Sequence, residues 1–473
     1  MSVPRTPRVV PSVLLLALAL TAGGGCAGDD DGHGSGPAGA LSLEPVAGDG
    51  QVGEAGTMVG YPLVVRVRSS SGRAIPNASV TWQASGGGLV LPRLSRTNGE
   101  GIASGYWLLD AQVGTQSATA TVPRAAGTVR FQARAELVSE PTFEGTRRLG
   151  LDTYEGSGQV VHPDVTGTPL GWSASRRHLA ITPYPYGNAH FENPSLFTGD
   201  DGERWRIPEG LTNPVVRPAP GSYLSDPDHL WVPETRELWL YYRQVTSDNV
   251  ILLTRSGDGV RWELPVEVLR APNHRAVSPS VVRREPRDWM MWSVDAGAIG
   301  CGASSTTVEL RRSEDGVVWS APTAVALAQP GVFVWHIDVQ WVASQNEFWA
   351  LYNAKAPGSC NTAALYLATS PDGERWTTYP SPVLHRADFP AFEDVVYRAS
   401  FEYNPASDVV TLWLSGARWD GTGFAWSAAV QRRLRERLFA DVQARPAATL
   451  ESARAAAAER RPGVPLLDAE TAP

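Results

Sequence analysis

Carboxylate and imidazole side chains recur two residues apart between residues 160 and 340, in the segments His162–Asp164, Asp226–Asp228 and His336–Asp338. A carboxyl group can act as an acid or as a base according to its pKa, and a second carboxylate nearby raises that pKa by like-charge repulsion. Such side chains can cooperate only where the fold brings them together. Their role therefore depends on the elements that position them.

A short motif, Ser-x-Asp-Gly-x-x-Trp, repeats along the same part of the chain. Its aspartates stand at positions 201, 258, 315 and 372, so each step is 57 residues. The first copy has Gly199 in place of serine, and Asp420-Gly421 with Trp426 forms a degenerate fifth copy. Asp-Gly favours a tight turn because glycine tolerates positive φ and aspartate caps the turn. We expect these aspartates to serve folding.

Two strand-like segments precede each motif, so each unit should have four strands, and five units make a five-bladed β-propeller. The chain is thus expected to be all-β. The first strand of each blade lies innermost, and residues near the starts of these strands should converge on a central funnel. These residues are His162, Asp164, Asp226, Asp228, Ser278, His336, Asp338 and Arg398.

A five-bladed propeller with Asp-Pro at the start of an inner strand resembles glycoside hydrolases of the family 43 and family 32 type, and the Asp-Gly turns resemble the Asp-box turns of propeller proteins. The resemblance implies hydrolysis of glycosidic bonds by two funnel carboxylates. The candidate catalytic residues are Asp226, Asp228, Asp338 and Asp164. The candidate substrate-binding residues are His162, His336, Arg398, Glu192, Tyr397 and Trp335.

Other roles for these residues stay open. Asp226 and Asp228 could cap their strand and bind loop amides, or could hold a structural cation in the funnel together with Asp164. The two histidines are also compatible with hydrogen-bonded core positions, and Arg398 with an ion-pair partner. No cofactor is expected apart from such a cation.

The N-terminus has the features of an export signal. Basic residues precede an apolar run, Val9 to Leu20, that is shorter than the about 20 residues needed to cross a bilayer. Small residues then lead to Cys26, a pattern that resembles a bacterial lipobox with Gly23 where leucine is usual. We expect lipidation at Cys26.

Export into an oxidising compartment makes the two other cysteines, Cys301 and Cys360, candidates for a disulfide. Both fall in loops between the second and third strands of adjacent units, on the funnel face. A bridge between them would join two loops at the rim.

Residues 41–137 show a different pattern, in which apolar and polar residues alternate in short runs such as Leu63–Arg68. About seven such runs in about 100 residues indicate a β-sandwich of immunoglobulin type. The stretch Thr97–Ala103, followed by Trp107 and Gly114, resembles bacterial Ig-like domains of the invasin (Big-1) group. This resemblance implies a spacer or adhesion module at a cell surface.

The predicted segments are a lipoprotein-type signal (1–26), a flexible tether (27–40), the Ig-like sandwich (41–137), a linker (138–149), the propeller (150–430) and a helix-prone tail (431–473). The net charge of −8 comes from dispersed residues and gives no footprint for nucleic acid.

The sequence therefore predicts an exported protein of the bacterial outer membrane or cell surface, attached to the membrane only through its lipid anchor. Its propeller is expected to process glycans, by glycosidic-bond hydrolysis with paired carboxylates. The alternative is a non-catalytic glycan-binding or adhesion protein on the same scaffold. An enzyme of this kind needs two carboxyl groups about 5–10 Å apart, one of them protonated near neutral pH.

Overall fold

The structure is a computed structural model that describes residues 41–138, 145–329, 332–355, 358, 360–444, 463–465 and 467. The expected signal, the lipidation site Cys26 and the tether lie outside the described residues, as does the helix-prone stretch 450–460. Within the described ranges, no helix combines the length and apolar character needed to cross a bilayer.

Nine strands of the described chain form two sheets around one core, and we call this part the sandwich. The sheet orders are β1-β3-β7-β5 and β2-β9-β8-β4-β6. Alternate side chains of the strands, including Trp82, Trp107 and Phe131, fill the core between the sheets. The strands are β1 Ser42–Ala47, β2 Gln51–Glu54, β3 Leu63–Arg68, β4 Ser79–Ala84, β5 Leu89–Leu91, β6 Leu94–Arg96, β7 Ile102–Leu108, β8 Gly114–Thr121 and β9 Val129–Glu136.

Twenty further strands of the described residues form five antiparallel sheets, numbered 1 to 5 along the chain. Sheet 1 contains β11 Val160–Gly167, β12 Arg177–Pro183 and β13 Ser195–Gly199. Sheet 2 contains β14 Tyr223–Val232, β15 Glu237–Val245, β16 Asp248–Ser256 and β17 Val266–Pro272. Sheet 3 contains β18 Val277–Glu285, β19 Asp288–Asp295, β20 Thr307–Ser313 and β21 Thr323–Val325.

Sheet 4 contains β22 Phe333–Val342, β23 Glu347–Lys355, β24 Thr362–Ser370, β25 Thr377–Thr378 and β26 Leu384–His385. Sheet 5 contains β27 Val395–Asn404, β28 Val409–Trp419, β29 Phe424–Leu434 and the early strand β10 Thr146–Arg148. One helix, α1 Arg435–Ala444, follows β29 in the described chain, and short 3-10 turns are Pro185–Gly187, Ala189–Phe191, Gly297–Gly302, Arg386–Asp388 and Pro390–Phe392.

The five first strands, β11, β14, β18, β22 and β27, lie side by side. Each contacts the first strand of the following sheet, and β27 contacts β11. The sheets therefore extend outward from a shared set of inner strands, which is a propeller-like arrangement. We call sheets 1 to 5 the five-sheet body.

Three expectations about the boundaries of this body were wrong. Sheet 1 has three strands and one isolated bridge, Thr198 with Arg206, in place of a fourth strand. The segment expected to be a linker contains β10, because its backbone pairs with the free edge of β29. The expected start of the tail at 431 falls inside β29, and the helix begins only at Arg435.

The four Asp-Gly turns connect the third strand of a sheet to the segment that follows. In the second copy, the Asp258 carboxylate accepts hydrogen bonds from the amides of Val260 and Arg261, at 2.8 and 2.7 Å. The Asp201, Asp315 and Asp372 carboxylates accept the equivalent pairs of bonds. Each of these aspartates thus satisfies backbone donors of its own turn, a structural role.

Each turn packs against the second strand of the preceding sheet. The carbonyl of Gly373 accepts a hydrogen bond from the Trp292 indole at 3.0 Å, and that of Gly202 accepts one from the Trp413 indole at 2.8 Å. Since Trp413 belongs to sheet 5, the turn of sheet 1 joins the two ends of the five-sheet body. The turns are therefore contacts between sheets.

The expected fifth copy at Asp420-Gly421 forms a turn in which Asp420 accepts from the amides of Thr422 and Gly423, but it does not lie after the third strand as the other four turns do. These residues connect β28 to β29, the second and third strands of sheet 5. The chain continues from β29 into α1, whose Phe439 ring lies 5.0 Å from the Trp349 ring of sheet 4. The helix thus covers the strand that a fifth turn would have covered.

We expect Gly373→Ala to destabilise the protein by about 2–4 kcal/mol. Gly373 has a φ of +78°, and an added Cβ would lie 2.6 Å from Met290 Cε and 2.7 Å from the Trp292 ring. The control is Gly257→Ala in the turn of sheet 2, where an added Cβ meets nothing within 4 Å. Urea unfolding of both variants measures the difference, and equal midpoints would contradict the packing role of the turn.

Candidate functional site

A β-bulge interrupts the first strand of every sheet near its start. In β11, Val161 pairs with Thr182 and Asp164 pairs with Ala180, so three steps on one strand match two on the other. The same shift occurs in β14, β18, β22 and β27. Such a bulge redirects a side chain that would otherwise follow the alternation of the strand.

Three bulge residues, His162, Asp226 and Ser278, have positive φ values of 56°, 50° and 52°. Each precedes a proline, which donates no backbone hydrogen bond and so fits an unpaired position in a strand. Positive φ costs a non-glycine residue of order 1–3 kcal/mol, and such strain is found most often at functional sites. The prolines that the sequence places at strand starts therefore belong to the bulges.

The bulges bring His162, Asp226 and His336 together, and we call these three residues the upper triad. Asp226 Oδ1 lies 3.3 Å from His162 Nε2 and 3.4 Å from His336 Nδ1. All three side chains are buried, and none of these three atoms makes a hydrogen bond of good geometry within the described structure. Three donor atoms of this type at this spacing can hold a metal ion.

Neighbouring groups fix the orientation of the upper triad. His162 Nδ1 lies 3.0 Å from the Thr182 hydroxyl, which leaves Nε2 as the nitrogen that faces Asp226. Arg243 Nε lies 2.8 Å from Asp226 Oδ2, and the amide of Ser278 donates to the same oxygen at 3.2 Å. The carboxylate is thus held through one oxygen, with the other directed at the two imidazoles.

The charges of the upper triad suit a cation. Burial is the largest single influence and raises the pKa of Asp226, but the charges around it, that of Arg243 first, together outweigh burial, so the pKa lies well below 3.8 and the carboxylate is ionised. Burial lowers the pKa of His162 to about 3, and it lowers the pKa of His336 well below 6.5. Both imidazoles are therefore neutral, the form that binds a metal ion.

A second group, Asp164, Asp228 and Asp338, lies two residues further along the same strands, and we call it the lower triad. One oxygen from each carboxylate lies within 4.8 Å of the others. Burial and the charge of Asp164 raise the pKa of Asp338 to about 8 and that of Asp228 well above 3.8. Arg398 Nη2 lies 3.4 Å from Asp228 Oδ1.

Asp164 has a partner of its own. Its Oδ2 accepts a hydrogen bond from the amide of His229 at 2.7 Å and a second contact from the ring nitrogen Nδ1 of the same residue. The amide of Val281 donates to Asp228 Oδ2 at 2.8 Å. Much of the lower triad is therefore committed to holding neighbouring inner strands together.

The predicted substrate-binding aromatics lie against the upper triad. The Tyr397 ring is 4.3 Å from the His336 ring and 5.4 Å from the His162 ring, and its hydroxyl accepts from the Trp335 indole at 3.1 Å. Glu192 is buried next to sheet 2, where its backbone carbonyl accepts from the amide of Leu224 at 2.9 Å. Arg398, predicted as a clamp or an ion-pair partner, reaches the lower triad.

The two cysteines form a disulfide, with a Cα–Cα distance of 4.8 Å. It links the loop after β19 to the residues just before β24. Lys355 donates to the carbonyl oxygens of Cys301 and Ala303, the latter at 2.8 Å. The bridge and this buried lysine together fix the loop between the second and third strands of sheet 3.

Sequence reasoning missed three residues that organise the site, namely Arg243, Thr182 and His229. A signal existed for Arg243, because it is the charged member of the otherwise apolar and aromatic run Leu238–Arg243. Thr182 and His229 carry no such signal, since a single threonine or histidine in a strand is ordinary.

No protein-family model matches the chain. A curated protein described as an A type blood N-acetyl-alpha-D-galactosamine deacetylase, from Flavonifractor plautii, is 27% identical over 347 residues, covering 64% of this chain and 44% of that protein. The chain thus spans less than half the length of this relative.

A crystal structure of an N-acetylgalactosamine deacetylase from F. plautii, in complex with blood group B trisaccharide, matches with a TM-score of 0.58 at 23% identity, covering 63% of this chain and 97% of that chain. This match shows a shared fold. A crystal structure of a thermostable family-43 glycoside hydrolase is less similar, with a TM-score of 0.43 at 11% identity, covering 58% of this chain and 88% of that chain.

We expect opposite effects on stability when a negative charge is removed from the upper triad and when one is removed from the lower triad. Stability is measured in EDTA, which removes bound metal. Asp226→Asn removes the carboxylate charge that lies 2.8 Å from the buried Arg243, and we expect a loss of about 3–5 kcal/mol in the free energy of unfolding. Asp338→Asn mimics the protonated acid and should be tolerated at neutral pH.

The pH dependence of Asp338→Asn follows from the raised pKa. The native carboxyl keeps its proton up to about pH 8 and the unfolded one loses it near 3.8, so the contribution of Asp338 to stability falls as the pH rises between these values. Asp338→Asn should remove this part of the pH slope. Urea unfolding from pH 4 to pH 8 measures it, and an unchanged slope would contradict the raised pKa.

Proposed function

We propose that this chain is a glycan-processing enzyme that binds a divalent metal ion at His162, Asp226 and His336 and hydrolyses the N-acetyl group of an amino sugar. The observation that carries the proposal is the upper triad, in which an ionised carboxylate oxygen faces two neutral imidazole nitrogens at 3.3 and 3.4 Å. The similarity to the F. plautii deacetylases supports the choice of substrate.

The spacing of the upper triad fits a metal ion. Metal–ligand bonds of about 2.0–2.1 Å in tetrahedral geometry place neighbouring ligand atoms about 3.3 Å apart. The observed separations from Asp226 Oδ1 are 3.3 and 3.4 Å. Two histidines and one carboxylate also leave a coordination position open, as catalytic zinc sites do. This proposal departs from the expectation that the protein needs no catalytic cofactor.

Each residue around the triad has a defined part in this function. A divalent ion supplies two things when bound, a lower pKa for water and polarisation of the acetyl carbonyl. Arg243 keeps Asp226 ionised, and Thr182 fixes the imidazole of His162. Tyr397 and Trp335 are buried and pack against His336, so they fix the position of its imidazole.

Glycosidic-bond hydrolysis by the lower triad is the second candidate. The observation in its favour is Asp338, whose pKa of about 8 keeps it protonated at neutral pH, as a general acid requires. One of its carboxyl oxygens lies within 4.8 Å of one oxygen each of Asp164 and Asp228. Retaining glycosidases place their two carboxyl groups about 5–5.5 Å apart and inverting ones about 6.5–9.5 Å apart, so the lower triad is closer to the retaining arrangement.

We expect the purified chain to release acetate from N-acetylgalactosamine glycosides and to contain about one divalent ion per chain. Asp226→Asn should lose the ion and reduce acetate release by at least about 100-fold, because a metal ligand is removed. The control is Asp248→Asn, which removes a carboxylate that is 43% exposed and ion-paired on the surface. Metal content is measured by mass spectrometry, and acetate by an enzyme-coupled assay.

The products of the reaction, acetate or reducing sugar, distinguish between the candidate functions. Reducing sugar without acetate, lost in Asp338→Asn and retained in Asp226→Asn, would replace the proposal with glycosidic-bond hydrolysis. Saturable glycan binding with neither product would replace it with the non-catalytic binding protein. Acetate release that survives both EDTA and Asp226→Asn would contradict the metal-dependent mechanism.

We also propose that the five sheets form a closed five-bladed propeller with Asp-box-like turns, and that the sandwich is a bacterial Ig-like domain. Pairing of β10 with β29 supports closure, because it places an early strand in the last sheet. Export, lipidation at Cys26 and a location at the bacterial outer membrane or cell surface complete the proposal, and their support is the N-terminal sequence.

A further inference from the structure

The sandwich and the five-sheet body meet at the ends of the inner strands that lie away from the upper triad. Glu54 of the sandwich pairs with Arg176 at 2.6 Å and accepts from Asn404 at 3.1 Å, and both partners belong to the five-sheet body. Arg236 donates to the Gly60 carbonyl and lies 4.1 Å from the Tyr61 ring. These contacts hold the two parts together.

A cleft of about 320 Å³ lies at this junction, and we call it the interface cleft. The sandwich contributes Glu54, Met58 and Leu108, and the five-sheet body contributes Thr166, Trp341 and Glu402. Small-molecule sites measure about 300–1,000 Å³ and occur preferentially where two domains meet. The interface cleft has the size and the position of such a site.

The charges in the cleft favour a neutral ligand. Arg176 pairs with Glu54, and Arg177 pairs with Glu402 at 2.6 Å, so each arginine of the lining has a carboxylate partner. A phosphate or a carboxylate ligand would have to break one of these buried pairs. A neutral ligand can use the remaining polar atoms without doing so.

Polar and aromatic groups are placed together in the lining. Glu402 lines the cleft and binds Arg177 through Oε2 at 2.6 Å. Gln340 and Thr166 add donors and acceptors on neighbouring strands, and Trp341 and Tyr403 supply half-buried aromatic surface. Hydroxyl groups that meet carboxylate and amide groups, next to aromatic rings that cover C–H faces, are the contacts a sugar needs.

We propose that the interface cleft is a second saccharide-binding site, formed jointly by the sandwich and the five-sheet body. The sandwich is then half of a binding site, and the spacer role expected from the sequence does not describe it fully. The proposal relies on the proposed function only for the choice of a sugar as the probe.

The cleft is separate from the upper triad. Gln340 lies four residues after His336 on β22, and Thr166 lies four residues after His162 on β11. Four residues of a strand span about 13 Å, with the lower triad between the two positions. A ligand in the cleft therefore does not contact the upper triad, and the two sites can be tested one at a time.

Gly167 offers a way to block the cleft without disturbing the fold. It lies at the exposed end of β11, and the atom that an added Cβ would meet is Glu402 Oε1 at 3.2 Å, the end of a flexible side chain. We expect Gly167→Leu to fill the cleft. Gly257→Leu is the matched control, at a surface turn where an added Cβ meets nothing within 4 Å.

The experiment is calorimetric titration of the full chain in EDTA with N-acetylgalactosamine and with galactose. We expect saturable binding of at least one sugar, weakened at least about tenfold in Gly167→Leu and in Trp341→Ala, which removes an aromatic contact. Gly257→Leu and Trp319→Ala, a tryptophan outside the cleft, should bind as the parent does. Circular dichroism establishes that each variant is folded.

Two results would overturn the proposal. One is that neither sugar binds the folded parent, and the other is that the cleft variants bind as tightly as the controls do. Sugar binding that is weakened by Asp226→Asn and unaffected by Gly167→Leu would assign the sugar to the upper triad alone. Failure of acetate release leaves the cleft result unaffected, because the titration measures no turnover.

Discussion

The buried pair of Asp226 and Arg243 is the interaction on which the centre of the molecule depends. A carboxylate that is fully removed from water is stable only with a close counter-charge. Arg243 supplies that charge from the second strand of the same sheet, and it lies 2.8 Å from Asp226 Oδ2. Because this oxygen is engaged, the other one faces His162 and His336. The same pair therefore secures the inner strand and creates the arrangement that can hold a metal ion.

The bulges explain why the site has two layers. In a regular strand, His162 and Asp164 would lie on the same face of the sheet, about 7 Å apart along the strand. The bulge in each first strand changes the direction of the earlier side chain, such as that of His162. The later residue, such as Asp164, again pairs regularly with the second strand. The upper triad contains the residues at the bulges, whereas two members of the lower triad, Asp164 and Asp228, accept hydrogen bonds from amides of neighbouring strands. On the first strands of sheets 1 and 2, the residue that could take part in chemistry therefore lies two positions before the residue that holds neighbouring strands together.

Much of the five-sheet body could be predicted from the sequence, because it rests on local signals. The 57-residue step and the strand-like runs located the first and second strands of all five sheets. The place of β10 in sheet 5 could not be predicted, because it depends on a free edge more than 270 residues away in the chain. The same applies to α1, which occupies the position of a fifth turn through contacts of Phe439.

The candidate site was predictable as a set of residues and not as an arrangement. Convergence of His162, Asp226 and His336 follows from the propeller pattern, but their protonation depends on partners that the pattern does not reveal. The charges around Asp226, that of Arg243 first, outweigh its burial, whereas burial and the charge of Asp164 dominate at Asp228. Two aspartates that differ by two positions therefore have pKa shifts of opposite sign. Paired carboxylates alone suggested acid–base hydrolysis. The environment of each carboxylate changes this interpretation.

The repeat also shows which positions of the scaffold are free to vary. The turn residues are nearly the same in sheets 1 to 4, because each turn must cap itself and contact the preceding sheet. The bulge residues differ from sheet to sheet, as histidine, aspartate, serine, histidine and arginine. Only two of these five can be neutral nitrogen ligands, and only one is an acid. The backbone of five similar sheets therefore carries a site without five-fold symmetry. The three residues that could hold a metal ion lie on sheets 1, 2 and 4, and the cation Arg398 comes from sheet 5.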